Sequence, residues 1–166
     1  VRELTPGSKE MSMVRKLRRA ERAMADDEAR ELLERGEYGV LSTVSAAGEP
    51  YGVPLSYSVL DNGIYFHCAL EGHKLENLAP GSRVSFCVVG RTEILPDQFA
   101  TRYESVIVSG MVTEVGGDEK QHALEGLVAK YSPGYQPEGL RYIATDGRRT
   151  RVFRIDIDRL SGKRRP

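Results

Sequence analysis

The chain is 166 residues long, room for one globular domain with a sizeable core and little space for a second. Its hydrophobic fraction of 40% and charged fraction of 29% are those of an ordinary globular protein, and no apolar run exceeds the four residues Phe86 to Val89, which excludes a transmembrane helix and wholesale disorder. Twenty-four Lys and Arg balance twenty-four Asp and Glu, so the net charge of zero argues against a dedicated nucleic-acid binder.

The balance conceals a pattern. Residues 1–25 carry seven basic and three acidic side chains (+4), residues 26–146 nine and nineteen (−10), and residues 147–166 eight and two (+6). We read a basic N-terminal extension over 1–25 and a single domain over 26–166, with a basic tail expected to be solvated or to contact another subunit. Arg15-Lys16-Leu17-Arg18-Arg19 is followed by no apolar stretch, so a secretory signal is not expected. Cys68 and Cys87 have no C-x-x-C spacing and read as reduced, buried thiols of a cytoplasmic protein.

In chain order, Asp26 to Arg35 has the spacing of a short amphipathic helix, with acids at its positive end and Gly36 as its stop. Tyr38 to Val44 alternates as a strand, Ala46 to Glu49 turns the chain, and Tyr51 to Val59 reads as the next strand, with Pro54 restricting it to an edge or a bulge. Asp61-Asn62-Gly63 contains the Asn-Gly pair of a tight hairpin leading into Ile64 to Cys68. Leu75 and Leu78 predict one or two helical turns starting at Gly72-His73-Lys74 and closed by Pro80-Gly81.

Further strands are predicted over Arg83 to Gly90 and over Ser105 to Val115 with an interruption at Gly110, separated by a loop or helical turn from Leu95 to Tyr103. Helices follow over Gly117 to Tyr131 and Glu138 to Thr145. Thr150 to Asp158 alternates as an edge-like strand with Phe153, Ile155 and Ile157 toward the core. Short turns between strands, with helices inserted late, predict a mainly β fold: a small antiparallel barrel or sandwich with peripheral helices.

The densest polar segment is Phe66 to Leu78, a strand end running through Gly72 into a helix start. Outward backbone N–H groups, with His73 and Lys74 beside them, make a natural anion site. The bland alternative keeps His67 as a satisfied barrel-face residue and His73 and Lys74 as solvated ones. A metal reading pairs His67 and His73 with Cys68 or Glu71, but these ligands change faces at the junction. His67 and Cys68 point to opposite sides of a strand, which excludes a thiolate–imidazole pair. Gly7, Gly36, Gly39 and Gly48 fit no dinucleotide or P-loop spacing, and no G-x-S-x-G is present.

Gly39-Val-Leu-Ser-Thr-Val44, Tyr51-Gly-Val-Pro-Leu-Ser-Tyr57, Ile64-Tyr-Phe-His-Cys-Ala-Leu-Glu-Gly-His-Lys-Leu75, Val84-Ser-Phe-Cys-Val88, Tyr103-Glu-Ser-Val-Ile-Val-Ser-Gly110 and Lys130-Tyr-Ser-Pro-Gly134 together resemble the nitroimidazole-resistance (Nim) branch of the pyridoxamine 5'-phosphate oxidase-like flavoproteins, over about residues 14 to 164. The resemblance implies a split β-barrel and a homodimer with FMN between the subunits. It implies an oxidoreductase that passes electrons, with NAD(P)H or another reductant as donor, to a nitroimidazole-like acceptor. Gly72, His73 and Lys74 become candidates for the FMN phosphate, with Asn77 nearby. Pro54, Leu55, Ser56 and Tyr57, with His67, Cys68 and Ala69, fall along the ribityl chain and ring. His73 is the implied catalytic residue. A flavin or haem carrier without turnover is the alternative the same fold implies. Cys68 departs from the family, which often has serine there. The substrate-binding Arg and His elements of true pyridoxamine phosphate oxidases have no convincing copy in Thr150 to Pro166, so vitamin B6 synthesis is not implied.

Overall fold

A computed structural model describes residues 18–79 and 81–166. Seven strands form one sheet in which every neighbouring pair is antiparallel: β1 (Gly39–Val44), β2 (Pro50–Leu55), β3 (Ser58–Leu60), β4 (Gly63–Cys68), β5 (Arg83–Leu95), β6 (Ala100–Val115) and β7 (Arg151–Arg165). The spatial order is β2-β1-β5-β6-β7-β4-β3. Its two outermost strands, β2 and β3, are joined by only Ser56 and Tyr57, so the sheet curls into a half-barrel of the split-barrel kind.

The four α-helices are α1 (Asp26–Arg35), α2 (His73–Glu76), α3 (Gly117–Tyr131) and α4 (Gln136–Asp146). Among the described residues no helix is long and apolar enough to cross a membrane. α1 has the predicted bounds. Its Glu28 carboxylate accepts the Ala25 N–H at 3.2 Å, satisfying one of the donors a helix start leaves open. The helix does end at Gly36, in extended rather than left-handed backbone, and the position has room only for glycine because a Cβ there would overlap Val88 Cγ1 and Tyr57 Oη. The described part of the N-terminal segment is docked, with Met24 buried and its N–H donating to Gly162 at 3.1 Å.

The barrel interior follows the strands' period of two. Leu41, Phe66, Phe86, Val88, Val106, Val108 and Ile155 are fully buried in it, and Leu32 and Leu33 of α1 close one side. Tyr57 meets Phe86 edge-on at 4.9 Å, and Phe66 stacks on Phe153 at 5.5 Å. On the outer face of β4 and β7, Tyr65 and Val152 pack instead against Ala123, Leu124 and Leu127 of α3 and Ile143 of α4. Tyr65 donates to Glu119 Oε1 at 2.9 Å, pinning the start of α3 to the sheet; burial and this bond push its phenol up to about 12.

Several expectations change. Tyr51 to Val59 is two strands, broken at Ser56 and Tyr57 where the chain crosses the barrel opening; Pro54 does lie on the edge strand β2. The hairpin turn is Asp61-Asn62, both left-handed at φ 46° and 61°, with Gly63 already in β4. The expected loop from Leu95 to Tyr103 shrinks to a short turn around Pro96–Gln98 and Phe99, because β5 and β6 run on as a long hairpin. The interruption at Gly110 is a bulge against β7 rather than a break. β7 is no edge strand: it lies between β6 and β4 and continues to Arg165. The basic tail is therefore opposed by acids, with Arg151 to Glu114 at 2.5 Å, Arg154 to Asp156 at 2.8 Å and Arg164 to Glu28 at 2.8 Å. Pro80 and Arg15 to Leu17 lie outside the described residues.

Candidate functional site

The alternation along β4 decides which of its residues are available to a ligand. Ile64, Phe66 and Cys68 point into the barrel, and Tyr65 and His67 point out. Tyr65 is covered by α3, but the cover ends before His67, which forms the wall of a cleft of about 290 Å³ between the sheet and the α3–α4 pair. Ser56, from the β2–β3 link, lies on the same wall. Leu124, Leu127 and Val128 of α3 and Tyr142 and Ile143 of α4 make the opposite side apolar, while Ser132, Asp146 and Thr150 supply polar groups.

Tyr131, at the end of α3, fixes the cleft's geometry. Its hydroxyl accepts the Tyr57 N–H at 2.9 Å and lies 2.6 Å from the Glu37 carbonyl and 3.0 Å from the Tyr57 carbonyl, to which it can donate. One side chain thus holds the β2–β3 link, the start of β1 and the end of α3 together. The Tyr57 ring points into the core, its hydroxyl donating to the Leu33 carbonyl, and burial pushes its pKa upward.

Lys74 reaches back toward the end of β4. Desolvation and the Lys74 charge hold the His67 imidazole below its ordinary range. Burial pushes the Cys68 thiol up, against the pull of Lys74 and Arg151. The remaining members of the predicted set fall around this centre. Pro54, Ala69 and Gly72 are exposed, and Leu55 is partly buried against the core. Gly72 has φ +138° with open space where a side chain would stand, so only a glycine permits this turn into α2 without strain. His73 is exposed and packs at a tilt against the Tyr51 ring, 4.3 Å between centres. Asn77 is buried and donates to Thr43 Oγ1 at 3.1 Å. α2 is a single turn, so positive charge at this corner comes from the side chains of Lys74 and His73 more than from a helix dipole.

The structure thus brings Ser56 and His67 together on the cleft wall, leaves Lys74 outside the lining but near enough to His67 to act on its charge, and turns the side chains of Tyr57, Cys68 and Asn77 away from the cleft. The α3–α4 wall and Tyr131 line the cleft although the predicted set does not include them; Tyr131 lies in the Lys130-Tyr-Ser-Pro-Gly134 stretch. Among the described residues no three His, Cys, Asp or Glu side chains gather as a metal-binding group.

A flat polycyclic ligand suits this arrangement: an apolar slot with hydroxyl and imidazole groups on one wall, and with Lys74 near His67 but outside the lining. The sequence profile of the pyridoxamine 5'-phosphate oxidase family matches residues 25–164. No curated protein sequence matches the chain. Among solved structures, it is similar to a candidate 5-nitroimidazole antibiotic resistance protein from Bacteroides thetaiotaomicron, at 20% identity and TM-score 0.69 over 85% of each chain. It is also similar to an FAD-binding protein from Mesorhizobium loti, at 24% identity and TM-score 0.65 over 87% of this chain and 98% of that one. A flavocytochrome from Azotobacter vinelandii aligns at 19% identity and TM-score 0.74 over 91% of this chain and 72% of that one. At these identities the likeness is one of fold.

Proposed function

This chain belongs to the pyridoxamine 5'-phosphate oxidase family, and on that premise we propose that it is a flavin-dependent oxidoreductase holding FMN in the cleft between α3–α4 and the end of β4. The carrying observation is the apolar slot walled by Leu124, Leu127 and Ile143 on one side and by Ser56 and His67 on the other. Bound there, a flavin supplies two-electron transfer between NADH or NADPH and a small acceptor of the nitroimidazole kind.

The chain's residues divide the remaining work. Ser56 and His67 meet the polar ring edge, and Lys74 and the open backbone at Gly72 take the phosphate. The α3–α4 wall excludes water. Tyr57, Cys68 and Asn77 hold the wall in place from behind. His73, exposed and steadied by Tyr51, orients the acceptor or delivers a proton to it. A second copy of the chain completes the unit. Val40, Cys87 and Ile107 align across β1, β5 and β6 on the barrel's outer side, flanked by the exposed Val44, Val89 and Met111, a face suited to homodimer formation.

The imidazole of His67 beside an apolar wall is also a group that could hold a haem iron, so a flavin or haem carrier is the second reading. The visible spectrum of purified protein, titrated with FMN, FAD and haemin, separates them: flavin bands are expected, and a Soret band lost in His67→Ala would favour haem. In a protein that turns over NAD(P)H with a nitroimidazole, His73→Ala is expected to bind FMN as the parent does and to slow acceptor reduction tenfold or more. Parent-rate turnover would remove His73 from catalysis.

A further inference from the structure

Lys130 has no part in the roles above. Its ammonium is sealed from solvent without a hydrogen-bond partner, 3.8 Å from the centre of the Tyr57 ring and 5.5 Å from that of Tyr131. An ammonium carries three donors, and a buried one that uses none is costly; the face of Tyr57 offsets only part of that cost. Burial pushes the amine down to about 8.

Lys130 borders a hollow of about 580 Å³ that shares Ser56 and Tyr131 with the cleft, so its charge stands just behind the cleft wall. The other titratable groups facing this hollow leave that charge uncompensated. Arg35 is held by Glu104 at 2.8 Å, and the hydroxyls of Tyr57 and Tyr131 are committed to backbone carbonyls. Glu34, Glu37 and Tyr38 line the hollow, and among the described residues none is paired with Lys130. Among the described residues nothing is hydrogen-bonded to the ammonium, and Ser56 and Tyr131, which line both the hollow and the cleft, stand between it and the cleft.

We propose that Lys130 tunes the bound flavin: its ammonium stabilises the negative charge of the reduced ring, and its amine takes up a proton when the flavin is reduced at alkaline pH. This rests on the flavin reading given above. Reduction by dithionite delivers two electrons; one proton enters the ring, which keeps one net negative charge. Below about pH 8 Lys130 is already charged, and one proton is taken up per two electrons. Above that pH the amine beside the oxidised ring is neutral. The new negative charge then raises the proton affinity of Nζ, which draws up to about half a further proton from water per two electrons.

The test is the midpoint potential of bound FMN, measured from pH 7 to 9.5 with dithionite and reference dyes, for the parent, K130M and K130R. In the parent the slope against pH is expected to steepen by up to about half at about pH 8.5 and to relax again by about pH 9.5. K130M is expected to show the single shallow slope and, at pH 7, about tenfold weaker preference for reduced over oxidised FMN, equivalent to about 30 mV for a two-electron couple. K130R, always charged, is expected to keep the parent potential at pH 7 and lose the break in slope. K130M with the parent potential and the break intact overturns the proposal while leaving the flavin reading standing. A parent protein that takes up neither FMN nor FAD defeats both.

Discussion

The barrel interior and the outer α3–α4 layer are built from the same strands and differ in how completely they are filled. Inside, Tyr57, Phe66, Phe86, Leu32 and Leu33 are fully buried and interlocked by ring contacts. Outside, the cover over Tyr65 and Val152 is made of Ala123, Leu124, Leu127 and Ile143, and it ends short of His67. One face of β4 therefore serves stability, and the next outward position beyond the cover is left for a ligand. Binding capacity sits at the seam, where a helical layer lies over a sheet without reaching its end.

Phe86→Ala strikes the interior and has the largest expected effect. It removes a fully buried ring that touches Tyr57 and the backbone near Gly39, so a loss of about 3–5 kcal/mol is expected in urea unfolding. A loss below about 1 kcal/mol would mean that the interior is not the stabilising half.

Tyr131→Phe tests the seam. Deleting one hydroxyl leaves the Tyr57 N–H and the Glu37 and Tyr57 carbonyls without that partner, for an expected loss of about 1–3 kcal/mol. Faster amide exchange at Tyr57, with the interior strands still protected, would show that the damage is confined to the seam. Uniformly faster exchange would break the distinction between the two regions.

Lys130→Met acts on stability in a way that depends on pH. The folded amine titrates at about 8 against an ordinary 10.5, so between those values the unfolded chain binds more protons and the parent gains stability as pH rises. Below about pH 8 the charged, unpartnered amine is a constant cost. Relative to the parent, the variant is expected to be more stable at pH 7 and to lose that advantage by pH 10, as read from urea midpoints at both. An advantage independent of pH would show that the Tyr57 ring fully compensates the charge.

Much of the fold is legible in the residues. α1 and α3 show their bounds because a helical period meets a clear stop at Gly36 and at Ser132-Pro133. The β5–β6 hairpin is not legible past Gly90. Arg91, Thr92 and Ile94 are exposed there, and a strand with no buried face carries no alternation to read. β7 looks like an edge strand ending at Asp158 because Ser161-Gly162-Lys163 offers no apolar side chain. Gly162 is nevertheless buried, against Ala29 and Met24, where a larger residue would not fit.

Of the site, the sequence by itself determined that His67 and Cys68 face opposite ways, that Gly72 turns the chain, and that Lys74 puts a cation beside that turn. These are local consequences of a strand period and of backbone sterics. Only the tertiary structure decided that Ser56 and His67 share a wall facing Tyr142 and Ile143, that the Tyr57 side chain belongs to the core, and that Lys130 is buried over its ring. Periodicity states which residues lie on one face of an element. Which distant element covers that face, and where the cover stops, is set by the order of strands in the sheet and the docking of α3 and α4.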